Sequence, residues 1–469
     1  MVKLRIAFFS PLNPMPTGIS DYSEELLPAL AELAEVDVFV DDYEPTNEAL
    51  KRRLPIYSYR RYEELAGRRR YDVDLYQMGN SAYHAYIYEM LQRHPGVVVL
   101  HEPLLHHLLA EAFLLRGNVE AYVREIGYSH GLAGLAAARA LARGQAVSKL
   151  AYPSFHRVVD AALGVIVHSE YAAGIVHAAR PEGRVVRIPM VLTPPASVDA
   201  RAAREELGIL PDQLVIGSFG RLTRAKRIDV ALRAFAAVRP QLPDAIYLLV
   251  GEATPECRLD ELIADLRLGR AVLRTGYVPD LASFYRHVAA CDICVNLRYP
   301  TAGETSAAAL RLLALGRPTI VTDAGAFSEL PDGCCIKVPV GPDEEASLTR
   351  QLLALAGDPG LRKRLGGRAR EFVAHEHAPG RVARLYVAAL EEFCSFGPEA
   401  LAGLGLAGET ALALTDLGLS GVDLLAPEPK SGLSRCVNKA LAELGLADGA
   451  PGLSGGGDHT HPASPDNRQ

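Results

Sequence analysis

The chain has 469 residues, 49% apolar and 22% charged, with 49 basic against 56 acidic side chains and a formal charge of −7. That length is too great for one hydrophobic core and implies two or three domains, and the composition is that of a soluble globular protein. Wholesale disorder, a fibrous protein and bulk attraction to nucleic acid are excluded.

The first ten residues hold a very short apolar run followed by prolines, which reads as a first strand and not as a signal peptide. No stretch reaches the roughly 18 apolar residues that a bilayer-crossing helix needs. All seven cysteines lie at or after Cys257. An odd number, absent from the first half, argues against a disulfide framework and for a reducing cytoplasm.

Short β-branched runs alternate with helical stretches, the pattern of an α/β architecture with parallel sheets. A first strand series is predicted at residues 4–9, 36–40, 96–100 and 164–167. A second is predicted at 214–219, 246–250, 271–275, 293–297 and 318–322, with amphipathic helices such as 22–34 and 228–239 in between. A proline-punctuated stretch, 189–197, separates the series, and helices over 359–373 and 379–393 follow the second. From residue 397 onward the 73 remaining residues contain 13 glycines and no aromatic side chain, and the last part, 449–469, reads as disordered.

Taken in order, four strand-to-helix junctions hold residues suited to ligand chemistry. The loop from Ser10 to Tyr22 contains Gly18, which keeps an approach open, and Ser20 or Asp21 as helix cap. His101 ends the third strand, at the carboxyl edge where such sheets bind ligands. The strand over 215–219 runs into Gly220-Arg221 and then Lys226 at a helix start, placing two cations where a diphosphate would sit. Gly303-Glu304-Thr305-Ser306 opens another helix, whose free N–H groups and positive dipole end suit phosphate, while the Glu304 carboxylate is a candidate acceptor for hydrogen bonds from sugar hydroxyls. Each junction has a plain alternative as a solvated turn or helix cap.

Other patterns carry less. There is no Gly-x-Gly-x-x-Gly after a strand and no Walker-type loop, so a dinucleotide dehydrogenase is not indicated. Cys291 and Cys294 have metal or redox spacing but open an apolar strand with no second pair. Asp72 and Asp74 could hold a divalent ion, but read more simply as a strand entrance. Eight basic residues between Lys51 and Arg70, interleaved with Tyr57, Tyr59 and Tyr62, form either a solvated face or a docking surface for an anionic membrane.

The order of the Gly18 loop, His101, His168-Ser169-Glu170-Tyr171, Gly220-Arg221 with Lys226, Thr275 to Pro279, Glu304-Thr305-Ser306 and Gly316-Arg317-Pro318 resembles the family 4 glycosyltransferases. The resemblance covers residues 3 to 393 and is most specific in the second half. It implies the GT-B fold: two Rossmann-like α/β domains facing across a cleft, here 1–193 and 194–377, with a crossover helix in 378–396 packing back on the first domain. The tail 397–469 has no counterpart.

The implied activity is retaining transfer of a hexose from a nucleotide-diphosphate sugar to a glycan or lipid-linked acceptor, in cell-envelope polysaccharide synthesis. Neither a metal nor another cofactor is implied. The carried-over roles put Gly18, Arg221, Lys226, Thr305, Ser306 and the backbone near Tyr277 and Val278 on the donor. His101 and Glu304 take catalytic positions, and Asp21 and Asn80 face the acceptor. The expected location is the cytoplasm, peripheral at the inner membrane face through Lys51–Arg70, with no nucleic-acid partner. Family members carry two glutamates before the Gly-x-Pro; counted back from Gly316 they fall at 303 and 311, where this chain has Gly303 and Arg311, with Glu304 one place late. Two alternatives therefore stay open: another GT-B enzyme, such as a sugar-nucleotide epimerase or an inverting transferase, and a non-catalytic nucleotide-sugar-binding partner.

Overall fold

In the computed structural model, residues 3–181 and 183–395 are described. The predicted tail, 397–469, and the final residue of the crossover segment lie outside them.

Thirteen strands among the described residues form two parallel sheets. The first contains β1 (Arg5–Phe9), β2 (Glu35–Val40), β3 (Ile56–Ser58), β4 (Val73–Met78), β5 (Val97–Leu100), β6 (Gly164–Val167) and β7 (Val185–Arg187). Their order is β3-β2-β1-β4-β5-β6-β7. The second contains β8 (Val215–Phe219), β9 (Ile246–Val250), β10 (Val272–Arg274), β11 (Ile293–Asn296), β12 (Thr319–Thr322) and β13 (Ile336–Val338), in the order β10-β9-β8-β11-β12-β13. In both sheets the order reverses beside the first strand. All strands point one way, so the loops at their carboxyl ends gather at one edge, the place where open α/β sheets hold ligands.

Every strand predicted from sequence is present, within one residue or so at its ends. Of the other four, three were not predicted and β4 was read only as a strand entrance at Asp72 and Asp74. The edge strands β3, β7 and β13 have three residues each, too few to show a period. The inner strand β4 is buried on both faces, yet it carries Asp74 and Gln77 among its apolar residues. Asp74 accepts a hydrogen bond from the Tyr62 hydroxyl at 2.6 Å, and Gln77 meets His101 at 2.9 Å. Partnered polar groups can be buried, and here they break the apolar run that marks an inner parallel strand.

The first helix, Gly18–Leu33, starts four residues before the predicted position. Thr17, not Ser20 or Asp21, is its cap, accepting the Ile19 N–H at 3.3 Å. Ser20 and Tyr22 are buried in the helix face.

The last described helix, Pro379–Cys394, crosses back to the first sheet. Val382, Ala383, Tyr386, Leu390 and Phe393 form its buried stripe, at helical spacing. The Tyr386 hydroxyl meets that of Tyr22 at 2.5 Å. Phe393 covers Gly164 so closely that a Cβ there would stand 2.4 Å from the ring. Burying a ring of that size contributes about 1.5–3 kcal/mol, which ties the end of the second domain to the first.

Candidate active site

The cleft between the two sheets has a wall from each domain. On the first wall, the β1 loop is held by Asn13, whose Nδ2 donates to Asp21 at 3.1 Å and whose N–H donates to Glu24 at 2.9 Å. Gly18 has open space where a Cβ would stand. Asn80 is spent on local structure: its Oδ1 accepts the N–H groups of His107 and Leu108 at 2.8 and 3.0 Å. Asp21 and Asn80 are thus partnered inside the protein, the first from the opening turn of its helix to the loop before it and the second to the first N–H groups of the helix His106–Leu109.

His101 is nearly buried, and its ring turns inward. His168 Nδ1 faces the Ile188 carbonyl at 2.9 Å and must carry the proton. Its Nε2 then accepts from His101 Nδ1 at 3.2 Å. His101 Nε2 is left as an acceptor, so the Gln77 amide facing it at 2.9 Å is assigned its NH2 by the network. Tyr22 packs edge-on, 4.8 Å between ring centres. Burial, with His168 and His84 nearby, holds the His101 imidazole well below its ordinary pKa, so it is neutral. Both ring nitrogens are committed within the first domain. The donor-sugar contact implied for His101 therefore has no free ring nitrogen behind it.

The second wall is built from β8, β11 and two helix starts. Gly220, at φ +86°, turns the chain after β8, and Gly251 passes so close that a Cβ would lie 2.3 Å from the Gly220 carbonyl oxygen. That turn brings Lys226 inward. Its Nζ donates to the Phe219 carbonyl at 3.1 Å and to Asn296 Oδ1 at 3.2 Å. The Asn296 amide donates to Ser306 Oγ at 3.1 Å, and Ser306 caps the helix Ala307–Ala314 by accepting the Ala309 N–H at 3.2 Å. One chain of bonds thus joins Lys226 to the helix start. Arg221 is exposed beside this group, Tyr277 is 65% exposed, and Val278 is half-buried against the apolar cluster below it.

Burial, then the Arg298 charge, lowers the Lys226 ammonium to about 7. A diphosphate placed against it would favour the charged form. Binding of a free nucleoside diphosphate at pH 8 should therefore take up roughly half to one proton. Calorimetry in buffers of different ionisation enthalpy measures this directly, and zero uptake would remove Lys226 from the phosphate site.

Glu304 is held from three sides. Arg298 pairs with it at 2.9 Å. The Thr301 hydroxyl and the Ala302 N–H donate to its other oxygen at 3.0 and 2.7 Å. It therefore shapes its own loop as well as facing the cleft. Thr305 Oγ1 and Arg298 Nε are buried there and meet no hydrogen-bond partner among the described residues. Gly303, at φ +87°, lets this loop reach the first domain; a Cβ would stand 2.6 Å from Pro103.

Arg311 sits where the resemblance leads one to expect a carboxylate. It reaches across the cleft to Glu25 of the first helix at 2.8 Å and contacts the Tyr285 hydroxyl at 3.2 Å. The Thr193 N–H also donates to Glu25. A second crossing joins Glu329 to the helix Glu170–Ala179, whose first N–H groups donate to that carboxylate at 2.9 and 2.6 Å. Neither crossing was foreseen.

Two sequence-level candidates are reassigned by their surroundings. Asp72 accepts the Arg5 N–H at 2.7 Å and Asp74 the Tyr62 hydroxyl, both at the amino end of β4 and away from the cleft. In the basic stretch, Lys51 pairs with Glu44 and Glu48, Arg53 with Glu32, Arg60 with Asp42, Arg61 and Arg68 with Glu64, and Arg69 with Asp37. Local carboxylates cancel much of its outward field. Among the described residues, no helix is long and apolar enough to cross a membrane.

Two facing Rossmann-like domains with a returning C-terminal helix define the GT-B fold of glycosyltransferases. Residues 213–358 match the model of the family "Glycosyl transferases group 1". The chain is similar to the lipopolysaccharide core biosynthesis mannosyltransferase LpsB of Rhizobium meliloti, 33% identical over 141 residues, 29% of this chain and 38% of that protein. It is also similar to the D-inositol 3-phosphate glycosyltransferase of Stackebrandtia nassauensis, 32% identical over 201 residues, 40% of this chain and 43% of that one. These alignments span less than half the length of the curated relatives. Among solved structures, sucrose-phosphate synthase from Thermosynechococcus elongatus superposes with TM-score 0.60 at 18% identity, over 84% of this chain and 100% of that one. Anabaena HepE in complex with UDP superposes with TM-score 0.56 at 18% identity, over 83% and 100%.

Proposed function

We propose that the chain transfers a hexose from a nucleotide-diphosphate sugar to a glycan or lipid-linked acceptor, with retention of anomeric configuration. The observation that carries this reading is Lys226, a buried cation bonded through Asn296 to the Ser306-capped helix start. As a nucleoside diphosphate leaves, negative charge grows on its terminal phosphate. A fixed ammonium, an exposed Arg221 and a helix N-terminus stabilise that charge without a divalent ion. The first domain supplies the acceptor side. Glu304, the carboxylate of this helix start, is held by Arg298, Thr301 and Ala302 and so is poorly placed to act as nucleophile. Attack of the acceptor on the face that the phosphate leaves suits this arrangement.

The partial relatives support the reading at the level of class: two sugar transferases by name, and a structural neighbour solved with UDP. The mannosyltransferase relatives favour an acceptor in the cell envelope. The test is a thermal-shift screen of the purified chain against UDP-, GDP- and ADP-sugars. A matching donor at 100 times its dissociation constant should stabilise the fold by about 2.7 kcal/mol. No shift with any nucleotide would end the proposal.

A further inference from the structure

We propose that Arg298 is a further positioning residue, fixing the Glu304 carboxylate so that its Oε1 meets a hydroxyl of the donor sugar. This rests on the donor site just described and on the sugar contact read for Glu304. The two carboxylate oxygens are held differently. Oε2 accepts from the Thr301 hydroxyl at 3.0 Å and from the Ala302 N–H at 2.7 Å. Oε1 faces Arg298 Nη1 at 2.9 Å. A carboxylate has about four acceptor positions, so the capacity left for a ligand is on Oε1, the oxygen beside Arg298. Donors on Oε2 alone leave the carboxylate free to turn, because the last glutamate torsion is broad and roughly two-fold. The ion pair on the other oxygen removes that freedom.

Arg298 is itself anchored by groups outside the Glu304 loop. Its backbone N–H donates to Thr322 Oγ1, at the end of β12, at 2.9 Å. The next residue, Tyr299, donates its N–H to the Ala225 carbonyl at 2.8 Å, which ties the segment to the turn that carries Lys226. On the other side of the carboxylate, the Gly303 N–H donates to Thr301 Oγ1 at 3.1 Å. Gly325 passes so near that a Cβ there would stand 2.8 Å from the Thr301 side chain. The side chains of Arg298 and Glu304 are 24% and 18% exposed, so water screens them less than it screens a surface pair. After burial, both charges are felt at the Lys226 ammonium, that of Arg298 the more strongly, so the pair borders the proposed diphosphate site. Arg298 Nε is buried without a partner among the described residues. The guanidinium therefore does not use its full fork, and a lysine ammonium can reproduce part of the contact.

The experiment is a double-substitution cycle on the purified full chain. It reads kcat/KM with the sugar nucleotide that stabilises the wild type, and the affinity for the matching free nucleoside diphosphate by calorimetry. Arg298→Met should lower kcat/KM roughly 10- to 100-fold, the worth of one hydrogen bond to a charged group, with the free-nucleotide affinity within about 3-fold of wild type. Arg298→Gln, a second neutral variant, should behave alike, and Arg298→Lys should recover much of the loss. In a Glu304→Gln background, adding Arg298→Met should cost no more than about 3-fold, because the group it orients has already lost its charge. The same cost in both backgrounds overturns the assignment, since the arginine then acts by itself or through the fold. A parallel loss of free-nucleotide affinity also overturns it and places Arg298 on the phosphate. A wild type that binds no nucleotide or transfers no sugar overturns the donor site, and this assignment with it.

Discussion

Replacing Lys226 with methionine should lower kcat/KM for sugar transfer by roughly 10²- to 10³-fold, or about 2.7–4 kcal/mol of transition-state stabilisation. Methionine keeps most of the buried volume and removes the charge. The loss should fall mainly on kcat, because the phosphate carries more negative charge while departing than while bound. Two acceptors, the Phe219 carbonyl and Asn296 Oδ1, lose their donor. A stability cost of about 1–3 kcal/mol is expected from that alone, so kinetics should be read well below the unfolding temperature. Arg221→Ala is the internal control. That side chain is exposed, its interactions are screened by water, and its loss should weaken transfer by only about 10-fold. Equal effects from the two substitutions would mean that burial of Lys226 has no part in catalysis.

The second large effect concerns stability. Arg311→Ala should destabilise the protein by about 3–5 kcal/mol, because it leaves Glu25 charged and unpaired in a nearly closed space. The side chains of Arg311 and Glu25 are only 6% and 11% exposed. Burial already raises the Glu25 carboxyl against the pull of Arg311, so losing the arginine removes its main compensation. For domains of this size the change corresponds to roughly 6–20 °C in Tm. The paired replacement Glu25→Leu with Arg311→Leu should recover most of the loss, since an apolar pair of similar volume carries no desolvation penalty. Calorimetric scans of the wild type, the single variant and the pair decide it. A silent Arg311→Ala would show that the two domains are held together elsewhere, at the Glu329 crossing or by the returning helix.

The contrast between those two residues shows what the chain discloses before it folds. Lys226 was legible because its neighbours in sequence make its site: a strand, a glycine turn and a helix start lie within a dozen residues, and their geometry follows from the order. Arg311 was legible only as an anomaly. Its partner Glu25 is 286 positions away, and no local pattern announces a pair of that separation. His101 shows the same limit in another form. Its position at a strand end was readable, but the direction of its ring depends on His168 and Gln77, which the topology brings beside it. The basic stretch shows the converse, since its charges are conspicuous in sequence while most of the neutralising carboxylates, Glu32, Asp37 and Asp42 among them, come from other elements. The inner strands other than β4, and the returning helix, were legible, because buried parallel strands and an amphipathic helix write their period directly into the residues.

The most direct test of the account follows the anomeric carbon. The purified chain is incubated with the α-linked sugar nucleotide that stabilises it and with a glycan or lipid-linked acceptor, and the reaction is followed by NMR. The account predicts release of a nucleoside diphosphate and a new glycosidic bond in the α configuration, undiminished by EDTA. A β-linked product, or a chain that binds the sugar nucleotide and never turns it over, would contradict it.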